Sequence, residues 1–371
     1  MVVVVDRSWS PLVLASLLCA GGVAAGCTPQ FVPASLVTES RVIGVITQPP
    51  EAAPGQTVTH TPIVVDTSGT LEPVTGYDAS WWRCPDADSD GLGDFWECTV
   101  PAERRDLGGG VPYTDTVPAD LFGTAPAQGQ PVDPSTSPPE KILGAVLGYW
   151  RVVGMTVSTG TRHIDSFKRV PVFPPFPLSR LDERLAAIDV HVNENGTLAP
   201  NTNPTINAVT VHDGAVNGAT VTEVKPGGRY FFVPRIDDRQ LEEYFALKID
   251  LAGLDVADPE AVAAVETNEL LARFERVQRC EIPTYNWFIT AGHLRREITL
   301  DEGVIERVYD ERGVACPAVE GDVRTADAEF TVPTGDEDDP LPKDGVIHAW
   351  VVMRDGRGGS AFRSFDLTIA E

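Results

Sequence analysis

The chain has 371 residues, enough for two ordinary domains that each bury a core. Its 42% hydrophobic and 8% aromatic content excludes disorder throughout, and 33 Gly with 31 Pro between apolar runs point to many short strands and turns. A formal net charge of −25 without a Lys/Arg cluster excludes nucleic acid as a partner and makes a bare anionic membrane repulsive.

In chain order, the first feature is an apolar run over residues 11–26, PLVLASLLCAGGVAAG, directly before Cys27. Its sixteen residues are short for a membrane span, which needs about 20. The small residues at its end suit a cleaved leader. Ala24-Ala25-Gly26-Cys27 resembles a lipobox, with Ala24 where that signal usually has Leu, and Arg7 is the only basic side chain ahead of it. The resemblance implies a leader over 1–26, cleavage before Cys27, and lipidation of Cys27 with more than one acyl chain, enough for stable anchoring. Thr28 in place of Asp, by likeness to enteric sorting signals, points to the outer membrane or cell surface.

An exported chain meets oxidising conditions. Cys19 belongs to the leader, and Cys84, Cys98, Cys280 and Cys316 remain for disulfides in any of three connectivities. The expected pairs are sequence neighbours, Cys84 with Cys98 and Cys280 with Cys316. Neither C-x-x-C spacing nor paired histidines support zinc.

Residues 27–39 read as a polar, Pro-containing tether. A first domain follows over 40–175, with strands at 41–46, 57–61 and 77–84, a Pro54-Gly55 turn, and closing strands at 149–153 and 167–172. A Pro/Gly-rich insertion over 99–140 interrupts it. Residues 176–203 read as a linker with a short helix near 179–185. The second domain, 204–371, repeats the order: strands at 206–211 and 230–233 around Pro226-Gly227, then 285–289, 349–353 and 365–369. Asp258-Pro259-Glu260, followed by Val262, Val265, Leu270, Phe274 and Val277, predicts a helical insertion over about 258–279. Trp81 to Trp150 spans 69 residues and Trp287 to Trp350 spans 63, so the tryptophans read as matching core residues of two sandwiches.

The opening strand, the Pro-Gly turn, Trp before Cys and a final Trp350-Val351-Val352 run leading to Asp355-Gly356-Arg357-Gly358-Gly359 resemble bacterial, myxobacterial-type surface lipoproteins with Ig-like domains. This resemblance implies a mainly β chain of two Ig-like antiparallel β-sandwich domains, with the helical insertion in the second. The glycines at 356–359 read as a hairpin turn, since no Lys and no helix start follow them as a phosphate loop requires.

One motif carries chemistry. Residues 86–97, DADSDGLGDFWE, match D-x-D-x-D-G-x₅-E without a gap. Ca²⁺ takes six to eight oxygens, which Asp86, Asp88, Asp90, the Leu92 carbonyl, Asp94 through water and a bidentate Glu97 can supply around the Gly91 turn. The run resembles an EF-hand-like or thrombospondin type 3 loop, although Gly93 replaces the apolar residue that pairs regulatory EF-hands. A Cys84–Cys98 disulfide would close about 15 residues and contribute about 3 kcal/mol. The acidic run 336–339 lacks this spacing and reads as a solvated loop.

No H-E-x-x-H, G-x-S-x-G or Gly-rich phosphate loop is present, and the six histidines are scattered singly. The reading is therefore a non-catalytic, lipid-anchored cell-envelope protein, a binding or structural module with structural Ca²⁺, meeting the membrane through its lipid and an envelope protein or glycan through its domains. Its alternatives are a Ca²⁺-dependent adhesin or glycan-binding protein, and a secreted hydrolase or its accessory subunit.

Overall fold

Alternating apolar residues in the first half build two antiparallel sheets. In one, β1 (Arg41–Gln48) pairs with β2 (Thr57–Asp66), and β2 also pairs with β3 (Gly69–Thr70) and β6 (Tyr113–Thr116). The other runs in the order β5 (Arg105–Gly109), β4 (Asp78–Arg83), β7 (Tyr149–Thr159) and β8 (Arg162–Val172). These strands belong to a computed structural model. It describes residues 33–73, 75–83, 104–119, 121, 146, 148–180, 183–236, 243–250, 269, 272–281, 283–300 and 327–370. Residues Ala34–Glu371 form one compact unit.

The second half repeats the pairing plan. One sheet has the order β15 (His293–Leu294), β17 (Ala328–Thr331), β11 (Arg229–Ile236), β9 (Ile206–Asp213). Its mate runs β10 (Glu223–Val224), β19 (Ser360–Ile369), β18 (Val346–Arg354), β14 (Thr284–Ile289), β16 (Ile298–Leu300). Here β10 runs parallel to β19, and at the corresponding place in the first half a single parallel bridge joins Ala52 to Val172. β1, β2 and β6 on one sheet against β4, β7 and β8 on the other, matched by β9, β11 and β17 against β14, β18 and β19, is the Ig-like order.

Each half buries its own core between its two sheets. Val45 and Val64 meet Trp81, Val153, Met155 and Val157 in the first. Tyr230, Phe232 and Phe330 meet Trp287, Val351 and Met353 in the second. A third apolar layer lies between the halves, where Ile43, Ile63 and Val65 pack on Trp350 and Val352. The four sheets therefore stack face on face with three apolar layers between them. A β-bulge at Val42/Gly44 makes this possible, since two consecutive residues, Ile43 and Gly44, then face the second half while Val42 and Val45 face inward. Gly44 also lets β1 approach β18, because a Cβ there would lie 3.4 Å from Val352.

β18 has apolar layers on both faces, which explains its unbroken run Ala349-Trp350-Val351-Val352-Met353. The expected equivalence of Trp150 with Trp350 does not hold. Trp81 lies opposite Met155 and Trp287 opposite Val351, so the residue matching Trp350 is Gly154. Trp350 is buried between the halves, with its Nε1 donating to Thr70 Oγ1 at 2.9 Å, whereas Trp150 lies on the outermost sheet face and is 42% exposed. Trp81 and Trp287 do fill the sandwich cores.

The helix expected over 258–279 is corrected at its C-terminal end. Phe274–Cys280 is a strand, β13, paired along its length with β12 (Glu243–Ile249) from Glu243↔Cys280 to Ile249↔Phe274. The apolar spacing of 270, 274 and 277 fitted a helix, but a partner strand supplied from elsewhere outweighs single-segment periodicity. Residues 258–268, 270 and 271 lie outside the described residues, and Glu269 and Ala272 are helical. The linker helix near 179–185 takes the form of two 3-10 turns, Leu178–Arg180 and Glu183–Ile188. The end of the tether is docked: Val37 is fully buried in the layer between the halves, and its N–H donates to the Ile289 carbonyl at 2.7 Å.

Candidate functional site

The residues singled out by sequence for lipid, metal and disulfides fall mainly beyond the described part. Cys27, the calcium-type loop residues Asp86, Asp88, Asp90, Leu92, Asp94 and Glu97, and Cys84, Cys98 and Cys316 lie outside it. Cys280 ends β13 opposite Glu243, and its side chain is likewise outside. The frame of the acidic loop is visible. β4 ends at Arg83, which pairs with Arg105 at the start of β5, so the chain between them leaves and returns at one end of the first half's outermost sheet. β7 begins at that same end.

A polar clasp sits where the halves meet, built on the hairpin between β18 and β19. Positive φ at Gly356 and Gly358 turns the chain there, and the Asp355 carboxylate accepts the N–H groups of Arg357, Gly358 and Gly359 at 2.8–3.0 Å. Gly359 has no room for a side chain, since a Cβ would lie 2.0 Å from Asp355 Oδ2. The Arg357 guanidinium then reaches Glu51 of the first half at 3.4 Å and Glu281 at 3.2 Å, and lies over the Tyr244 ring. The chain of residues 201–203 threads between. Asn201 donates to Asp355 Oδ2 at 3.0 Å, and Asn203 donates to the Thr47 carbonyl while accepting the Ser360 N–H. From the other side, Lys168 donates to the Gly358 carbonyl at 2.7 Å and to Ser360 Oγ at 3.1 Å.

Burial dominates the electrostatics of this region. It pulls the Lys168 amine down to about 8, with Asp355 opposing and Arg354 assisting. It also pulls the His60 imidazole down to about 4, aided by Lys168 and Arg151. His60 lies in the first core, 3.1 Å from Thr47 Oγ1, stacked on Tyr113 and tilted against Trp81. Burial raises the Asp189 carboxyl, which the Leu178 and His191 N–H groups partly offset. Buried charges held by partners on several chain segments fix geometry. The arrangement holds the two halves in register, and among the described residues no group of three or more His, Cys, Asp or Glu is placed to hold a metal ion.

A second feature was not foreseen from the sequence. The outermost face of the first half's β5–β4–β7–β8 sheet presents aromatic and charged side chains. Trp82 lies flat over Gly154, where a Cβ would come within 2.3 Å of its ring, and Arg104 stacks on Trp82 at 3.9 Å while pairing with Asp165 at 2.8 Å. Phe167, opposite Gly154, is 46% exposed. Alternation along β8 was the available signal, but which face stays open depends on the stacking of the halves.

No known protein family matches the chain, and no curated protein sequence matches it. Solved structures similar to it include a chimeric titin Z1Z2-Z1Z2 tandem carrying a fibronectin GRGDS peptide, at 9% identity and TM-score 0.22, covering 90% of this chain and 100% of that one. Murine CEACAM1b is similar at 10% identity and TM-score 0.19, covering 88% and 100%. The full ectodomain of mouse nectin-like molecule 4 is similar at 8% identity and TM-score 0.14, covering 90% and 64%. These superpositions are loose, so the Ig-like assignment stands on the strand pairing described above.

Proposed function

We propose that the chain is a non-catalytic binding or structural module of the cell envelope, anchored by lipid on Cys27 and stabilised by Ca²⁺ in the loop 86–97. The observation that carries the modular reading is the welded stack. Two Ig-like sandwiches share a buried apolar layer and a buried polar clasp, and together they make a stiff body that presents sheet ends and an outer face. The lipid and the metal rest on sequence: the lipobox-like residues before Cys27 and the unbroken Ca²⁺ spacing. Four cysteines past residue 27 pair in the exported state, Cys84 with Cys98 and Cys280 with Cys316. Envelope proteins or glycans are the partners this reading expects.

The test is mass spectrometry of protein extracted from membranes, together with thermal melts in Ca²⁺ and in EDTA. An N-terminal peptide beginning at acylated Cys27 and a melting temperature raised by Ca²⁺ support the proposal. An unmodified Cys27 removes the anchor, and identical melts remove the metal. If the module is an adhesin dependent on that metal, ligand binding is lost with EDTA.

A further inference from the structure

Along β8 the side chains facing away from the first core run His163, Asp165, Phe167, Arg169 and Pro171, and the middle three set an acid and a base evenly about an aromatic. All three are exposed, and Asp165 keeps half of its side-chain surface open while paired with Arg104. The neighbouring rows of β7 add Trp150 and the half-buried Val152. The corresponding face in the second half is covered, and its cover is a β-sheet, that of β1 and β2.

Such a strip is complementary to itself. A twofold axis lying between two facing sheets, crossing β8 at Phe167, reverses the strand. It sets Asp165 of each copy over Arg169 of the other, with the phenylalanines meeting at the axis. A symmetric interface requires this self-complementarity. The paired oxygens of Asp165 already accept from Thr156 and Arg104, at 2.6 and 2.8 Å, and a carboxylate has lone pairs for a further donor. β7 and β8, eleven residues each, make the face about 36 Å long, and four strands make it roughly 19 Å wide. Two copies would bury on the order of 1,000 Å², at the lower edge of a specific interface.

We infer that this outer face is a homodimer interface, formed by a second copy of the same chain through the Asp165–Phe167–Arg169 strip. The inference does not depend on the lipid or the metal. It is tested by analytical ultracentrifugation of the full-length chain carrying C27S, which removes acylation without touching the sheet. The parent chain forms a concentration-dependent dimer. R169D and D165R, each folded by circular dichroism, dimerise at least tenfold more weakly, because like charges then face one another. An equimolar mixture of the two restores the dimer, since an all-acidic strip meets an all-basic one. A parent chain that stays monomeric overturns the inference, including one whose Arg169 instead captures an acidic polysaccharide or a vesicle. A dimer that ignores both substitutions, or a mixture no tighter than either variant alone, overturns it as well.

Discussion

Arg357 lies 306 residues from Glu51 in sequence and 3.4 Å from it in space, and it also neutralises Glu281, which is almost wholly buried. Arg357→Ala leaves two carboxylates in a poorly solvated junction. Removing one partner of a buried ion pair costs roughly 3–5 kcal/mol, and the lower end applies because Glu51 keeps the Asn201 N–H. Urea unfolding should show a loss of about 3 kcal/mol, with Arg357→Lys recovering part of it. His60 gives a pH signature. Its folded value of about 4 lies below the ordinary 6.5, so between these pH values the unfolded chain holds more protons than the folded one. Stability is therefore full above pH 6.5 and falls as pH drops toward 4, by on the order of 2 kcal/mol between pH 7 and pH 5. In His60→Gln, which keeps a hydrogen-bonding partner for Thr47, the melting temperature should lose that part of its pH dependence. The hairpin turn at 355–359 was legible from its glycines. Its ionic partners were not, since no local pattern links a turn to a residue three hundred positions away.

At the scale of elements, the strands at 41–46, 206–211, 285–289 and 349–353 were readable, because period-two alternation or an unbroken β-branched run reports burial directly. The repeat was readable for the same reason. β13 was misread as helix because Phe274 and Val277, three residues apart, suit one face of a helix, although in the strand they point to opposite sides, and only pairing with β12, contributed by another segment, decides the outcome. The tryptophans misled because spacing in sequence is not register. Gly154, the true counterpart of Trp350, makes room for Trp82 to lie flat. Gly154→Ala places a methyl group where the Trp82 ring sits and should destabilise the chain by about 1–3 kcal/mol, the usual cost of overpacking. Its signature would be a changed tryptophan fluorescence in the folded state, while Gly160→Ala, whose glycine borders open space, leaves that emission unchanged.

For the whole molecule, the layer between the halves decides whether the chain behaves as two beads or one body. Ile43, Ile63 and Val65 give their outer faces to Trp350 and Val352, and Val37 seals the same layer. None of this was visible in sequence, where each half reads as a self-sufficient sandwich and 27–39 as a tether. Trp350→Ala should cost about 3–5 kcal/mol for the cavity and the lost contacts, and separate the unfolding of the two halves. The most direct measurement of the welded stack is scanning calorimetry of the unsubstituted chain. A single transition whose calorimetric and van't Hoff enthalpies agree is the predicted result, because the shared layer couples the unfolding of the two halves. Two resolved transitions, or a van't Hoff enthalpy near half the calorimetric value, would contradict it.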